Sequence, residues 1–214
     1  MGHLARETDR MTIDVNTDAN IVWVRQRWHY SWLTAPKLDD WTLGERRAYH
    51  KRFEAAVLRG WNNRATLRVM GSSPFAKSMA RASLSVRLDL QWVLSNPHWM
   101  VTVKKIPAEQ FDVSKVNWGQ RRIWLDTNDL TWRKFGIGKD GTRQLPVQHE
   151  FAHAFGNVPE RGHGDEYRDG SPYQDDNRSI VNVGDQLRTR HFDHLLSELN
   201  QMVPDTRFIV GRIV

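Results

Sequence analysis

The stretch His149-Glu150-Phe151-Ala152-His153-Ala154-Phe155-Gly156 constrains this chain more than any other. It reads H-E-x-x-H, with a glycine three residues after the second histidine. On a helix, residues four apart are offset by about 40° and one turn, so His149 and His153 project side by side. Two neutral imidazoles so placed can share one tetrahedral zinc ion, with Glu150 close enough to act as general base on a water held there. Val147, Phe151 and Phe155 recur at i, i+4 and i+8, about 200° around the helix from the histidines. One face therefore suits a core and the other a metal. With 9 His in 214 residues, chance alone would place the pattern in on the order of one in a hundred such chains. The plainer alternative is an amphipathic helix with two histidines on its polar face. The phase of the apolar ridge and the glycine at the helix end both weigh against it.

The surrounding periodicities predict a mixture of strands and helices. Val22, Val24, Trp28, Tyr30 and Trp32 share one parity and predict a strand over 21–32, bent near Gln26. Thr42-Leu43-Gly44-Glu45 is a capping box, and Tyr49, Phe53, Ala56, Val57 and Trp61 follow at helical spacing, so a helix is expected over 43–61. A strand over 64–70 should end at the turn cluster Gly71-Ser72-Ser73-Pro74, with loop over 75–82. Leu84 to Trp92 alternates cleanly between apolar and polar. Trp99, Val101 and Val103 mark a further strand over 98–105, reached by a hairpin or sharp reversal at Asn96-Pro97. Residues 107–120 look irregular, Ile123 and Leu125 mark a short strand over 121–126, and the stretch through Gly136, Gly138 and Gly141 reads as loop. Thr142 is the expected cap of the motif helix, and Gly156 its end, since glycine takes a left-handed conformation freely. A last helix is expected over 189–203, stopped by Pro204, with Phe208–Val214 as a terminal strand. Without regular βαβ alternation, the fold class expected is α+β: a mixed twisted sheet packed on the motif helix, with a small C-terminal lobe ending in a helix.

Residues 1–18 read as a flexible lead and 19–214 as one domain, its upper lobe about 19–156 and its lower lobe about 157–214. Cysteine is absent, which removes disulfides and thiolate metal sites, and no apolar run approaches a membrane span. The polar start lacks the apolar core of a Sec signal, which is the expectation for a cytoplasmic protein or one exported by a dedicated non-Sec route. The net charge of +6 permits contact with nucleic acid. Much of it falls on the 43–61 helix as Arg46, Arg47, Lys51, Arg52 and Arg59, where a solvated face is the ordinary explanation. A polypeptide substrate is expected instead of nucleic acid, and oligomeric state is left open.

Two histidines leave a zinc site one protein ligand short. After Gly156 comes Asn157-Val158-Pro159-Glu160-Arg161-Gly162-His163-Gly164-Asp165-Glu166-Tyr167, and here the chain resembles the zincin metallopeptidases, in particular the metzincin type. In that type a His or Asp three residues beyond the glycine completes the site; here that position is Pro159, which cannot coordinate. Asp165-Glu166-Tyr167 resembles a D-E-Y ending displaced by an inserted loop. The resemblance thus points to Asp165 as third ligand, with His163 the alternative. A glutamate from a downstream helix, such as Glu198, would complete a different zincin arrangement, against which Gly156 speaks. Ser179-Ile180-Val181-Asn182-Val183-Gly184 resembles the metzincin Met-turn, with Val181 where methionine is usual. The resemblance covers about residues 142–196. It implies a zincin-like fold and a zinc-dependent peptidase, a housekeeping enzyme or an exported toxin or effector, in which Glu150 moves protons between water and leaving amine. Tyr167, Tyr173 and His191 are candidate oxyanion donors. The 98–105 strand is the candidate substrate-binding edge, with Trp99 and Trp124 as possible cleft walls. A zinc amidase acting on cell-wall peptides or other non-protein amides, and a basic nucleic-acid-binding module with an inert motif, are the alternatives.

Overall fold

A computed structural model describes residues 2–134 and 141–214. In chain order it contains β1 (His3–Glu7), β2 (Thr12–Asn16), β3 (Ile21–Thr34), α1 (Leu43–Trp61), β4 (Ala65–Gly71), α2 (Pro74–Met79), β5 (Leu84–Trp92), β6 (Trp99–Lys105), β7 (Lys115–Asn117) and β8 (Arg122–Asp126). These are followed by the two-residue strands β9 (Arg133–Lys134) and β10 (Arg143–Gln144), then α3 (Pro146–Ala154), α4 (Asp193–Leu199) and β11 (Thr206–Ile213). The architecture is α+β, with a mixed sheet ordered β11-β4-β5-β3-β6-β8-β7 and β2 and β1 paired beside the first half of β3. Gly136 and Gly138 of the expected loop lie outside the described residues.

β3 is the spine of this sheet. Its first half pairs in parallel with β5 and its second half in parallel with β6, so that Trp28 faces both Trp92 and Trp99. The chain therefore crosses from one flank of β3 to the other between β5 and β6, where a hairpin was expected. Asn96 in a left-handed conformation at φ 50° helps turn that crossing. β3 runs unbroken through Gln26. That side chain is fully buried, donates to the Ala154 carbonyl at 2.9 Å and accepts from the Trp28 indole at 3.1 Å, so a polar residue in the apolar parity is satisfied in place.

Several other expectations are corrected. Residues 2–18 are not a flexible lead: β1 and β2 form a hairpin whose Met11, Ile13 and Val15 are fully buried. The alternation Thr-Ile-Asp-Val-Asn that carries Ile13 and Val15 spans only five residues. Residues 74–79 form a short helix because Ser73 caps it and Pro74 sits in its first turn. α3 begins at Pro146 after an N-cap, Leu145, that makes no side-chain bond, so Thr142 does not cap it. The last helix is shorter than expected, α4 alone, and the expected terminal strand is β11, which pairs antiparallel with β4 at the far edge of the main sheet, so the lobe does not end in its helix.

Trp61 of α1, together with Phe151 of α3, Phe155 at the end of α3 and Phe192, forms an aromatic seam between the helices. Gly60 lets α1 and α3 approach closely, because a Cβ there would lie 2.7 Å from the Gln148 side chain. In that space the Gln148 amide donates to the Ala56 carbonyl at 2.7 Å and the Trp61 indole to the Gln148 carbonyl at 3.3 Å. The two helices are thereby locked by reciprocal polar bonds inside an apolar contact. Among the described residues no helix is long and apolar enough to cross a membrane. Because β2 fills part of this core, Ile13→Ala should destabilise the protein by about 2–5 kcal/mol in urea denaturation, whereas a loosely attached lead would give a change near zero.

Candidate metal centre

α3 is buried along its whole length, with both histidines and Glu150 facing a cleft rather than bulk water. Its end is set by Gly156, at φ +115°, where a Cβ would lie 2.4 Å from His194. Only glycine both takes that conformation and leaves room for the imidazole above it. The turn then brings the Asn157 carbonyl back under His153, whose Nδ1 lies 2.5 Å from it. Asn157, buried and missed by sequence reasoning, holds the turn by donating to the carbonyls of Ala152 and His191, each at 3.1 Å. Its only signal was a polar residue directly after the helix-ending glycine.

The segment 179–184 packs below the other histidine. Ile180 and Val181 point inward, and the Ile180 carbonyl lies 3.0 Å from Nδ1 of His149. The Gln144 amide nitrogen, a donor, lies 2.9 Å from the same Nδ1. A carbonyl only accepts, so Nδ1 of His153 carries the proton of the neutral ring and its Nε2 presents a bare lone pair. The two Nε2 atoms converge. Nε2 of His149 and Nε2 of His153 are 3.1 Å apart, and Oδ1 of Asp165 lies 3.1 Å from the first and 3.0 Å from the second. Three acceptors facing one another at this distance form a donor set for a cation. The buried cluster of His149, His153 and Asp165 could bind a metal ion.

Asp165 is carried into place by the loop after Gly156. Burial alone would raise its affinity for a proton, but hydrogen bonds and charge from the imidazoles of His149 and His153 in their protonated form hold the carboxyl well below the usual carboxylate range. Its outer oxygen, Oδ2, pairs with Arg168 at 2.6 Å. Arg168 stands three residues on, a contact that sequence reasoning did not anticipate. Burial likewise disfavours protonation of His153, yet the Asp165 bond and the Glu150 charge outweigh it and raise its pKa. For Glu150, burial is the largest influence and raises its pKa against the lowering pull of the two histidines. Oε2 of Glu150 is buried and has no hydrogen-bond partner. A carboxylate oxygen so placed is free to take a proton from a reactant.

The alternatives to Asp165 stand elsewhere. His163 pairs with Asp193 at 3.0 Å, and Glu198 with Arg6 at 2.9 Å. Of the candidate donors, Tyr167 lies over His149 with ring centroids 6.1 Å apart, and its phenol is pushed up to about 12 by burial and by Asp165. Tyr173 instead lies under the Arg190 guanidinium at 4.0 Å. His191 is buried in a bond of 3.2 Å to Ser179 and accepts from the Arg188 amide at 3.0 Å. The acidic segment also has a structural use: Glu166 takes both arms of Arg190 at 2.7 and 2.9 Å, and Asp176 bridges Arg188 and Arg190.

The cleft edge differs from the expected one. β6 lies inside the sheet between β3 and β8, while among the described residues β7 pairs with β8 and with no strand on its other side. Residues 113–118 line the cleft with His149, Glu150, His153 and Asp165. β7 is too short, at three residues, to show a period in sequence. Trp99 is fully buried in the core and Trp124 lies under the Lys115 ammonium at 5.0 Å, so neither forms a cleft wall; Trp118 does.

Comparison with protein-family models, with curated proteins and with solved structures finds no match to this chain. If Asp165 completes the donor set, Asp165→Ala should weaken divalent-metal uptake by about tenfold or more in a competition titration, and His163→Ala should leave it unchanged. Equal losses in the two variants would contradict the assignment.

Proposed function

We propose that the chain is a zinc-dependent metallopeptidase of the zincin type, resembling the metzincins, which hydrolyses peptide bonds with Glu150 as general base. The observation that carries this reading is the convergence of His149, His153 and Asp165 on one point, with an unpartnered carboxylate oxygen of Glu150 on the same helix. Two imidazoles and one carboxylate are a donor set of hydrolytic zinc sites, which keep a fourth position open to reactants. The edges of 3.0 and 3.1 Å between donor atoms compare with about 3.3–3.4 Å for a tetrahedron whose metal–ligand bonds are about 2.0–2.1 Å. When bound, zinc supplies Lewis acidity for the scissile carbonyl and the attacking water.

The protein side of the chemistry follows from position. Glu150, on the same helix as both histidines and with Oε2 unpartnered, accepts the proton of the attacking water and returns it to the leaving amine. Tyr167, beside Asp165 and half exposed to the cleft, is placed to donate its hydroxyl proton to a developing oxyanion. The free side of β7 offers backbone N–H and C=O groups to an extended peptide, so that affinity comes from main-chain pairing. The carbonyls of Ile180 and Asn157 beside the two Nδ1 atoms hold both imidazoles in register, and the Asn157 carbonyl holds His153 in the ligating tautomer.

Glu150→Gln keeps the size of the side chain and removes the base. It should lower kcat/KM on a peptide substrate by about 10²–10⁴-fold while the zinc content stays at the wild-type level. Peptide hydrolysis at an undiminished rate would overturn the role given to Glu150.

A further inference from the structure

Glu150 has unlike surroundings on its two sides. Towards the start of α3 lies a cavity of about 540 Å³. Its apolar walls come from Phe111, Val113, Pro146 and Val183, and its charged lining from Asp129, Arg133, Glu150 and Asp175. Three carboxylates therefore face one guanidinium. Arg133 and Asp129 are spent on each other, with Nη2 3.2 Å from Oδ1 and the guanidinium 4.1 Å over the Phe111 ring. Asp129 also accepts from the Asp126 amide at 2.8 Å and from the Ser114 hydroxyl. Gln144 Nε2 lies on the Asn182 carbonyl at 2.5 Å and beside Nδ1 of His149 at 2.9 Å, and the Asn182 amide is turned onto backbone carbonyls. Besides apolar wall and the amides of Gln174 and Asn177, a guest meets Glu150 at the inner end and Asp175. Asp175 is exposed, and no hydrogen bond or ion pair holds it among the described residues.

The direction of β7 says which part of a peptide reaches this cavity. Val113 and Ser114, just before β7, line it, and the strand then runs past Lys115 to Asn117 towards His153 and Val158. Antiparallel pairing is the stronger of the two arrangements per residue. A peptide paired antiparallel on the free side of β7 thus runs from the His153 end towards the cavity. Its first residue on the amine side of the scissile bond then faces the cavity.

Resting on the metallopeptidase reading, we propose that this cavity receives a lysine or arginine side chain, so that the protein cuts before basic residues, and that Asp175 is the residue that selects them. The aliphatic stem of the guest covers the walls formed by Val113, Pro146 and Val183, and its cationic head meets the carboxylate of Asp175. An acidic guest meets the carboxylate of Asp175. A plain apolar guest fills the walls and leaves Asp175 without a partner.

The test is digestion of a proteome-derived peptide library by the zinc-loaded protein, with the new N-termini read by mass spectrometry, for wild type, Asp175→Asn and Asp175→Lys. An exposed ion pair supports an enrichment of about fivefold for Lys and Arg over Asp and Glu in wild type. That enrichment should vanish in Asp175→Asn and invert in Asp175→Lys. Binding of basic peptides to the Glu150→Gln protein, followed by fluorescence anisotropy, should weaken in parallel when Asp175→Lys is added. A library cut without basic preference, or a preference untouched by Asp175→Lys, overturns the proposal alone. A library left uncut by wild type overturns the metallopeptidase reading and the proposal together.

Discussion

Nε2 of His149, Nε2 of His153 and Oδ1 of Asp165 meet within 3.1 Å of one another, and Nδ1 of each imidazole lies against a backbone carbonyl. Three electron-rich atoms held this close repel one another unless a positive charge lies among them, and a metal cation could satisfy all three. Much of the surrounding structure serves this convergence. α3 presents the two histidines one turn apart, the turn at Gly156 supplies one of the two carbonyls, and the 179–184 segment supplies the other. The loop of residues 157–164 returns the carboxylate. Arg168 takes the outer oxygen of Asp165 and so fixes which oxygen faces the histidines.

The helix that carries the site is itself held on several sides. Gln26 reaches from the sheet to the carbonyl at its last residue, and α1 grips its middle through Gln148. These are buried polar bonds, each satisfied, in an otherwise apolar interface. Bonds of this kind specify a register as well as adding stability, because sliding α3 by one residue would strand buried donors and acceptors at a cost of about 1–3 kcal/mol each. The wide aromatic seam around Trp61 supplies area, and the glutamines supply position.

What was legible in the sequence followed from period and spacing. α1, β5, β6 and the apolar ridge of α3 each repeat over enough residues to declare themselves, and the capping box at Thr42 marks a boundary to the residue. The pair of histidines, the neighbouring glutamate and the helix-ending glycine are local, so they too could be read directly. Asp165 came only through resemblance to a family pattern, and geometry alone then distinguishes it from His163, two residues away. The misses share a physical cause, which is that short elements lack a period. β1 and β2 alternate over five residues each, β7 spans three, and α2 spans six and rests on one Ser-Pro cap. Pairing partners are non-local, so the exchange of β6 for β7 as the free edge could not be seen from either segment alone.

Everything turns on whether the three converging side chains hold zinc. The most direct measurement is elemental analysis of protein purified without chelator, combined with X-ray absorption at the zinc edge. The account predicts one zinc ion per chain with two imidazole nitrogens and a carboxylate oxygen at about 2.0–2.2 Å, lost on combined replacement of His149 and His153 by alanine. Protein that carries no zinc and takes none up, or zinc that persists without these two histidines, would contradict it.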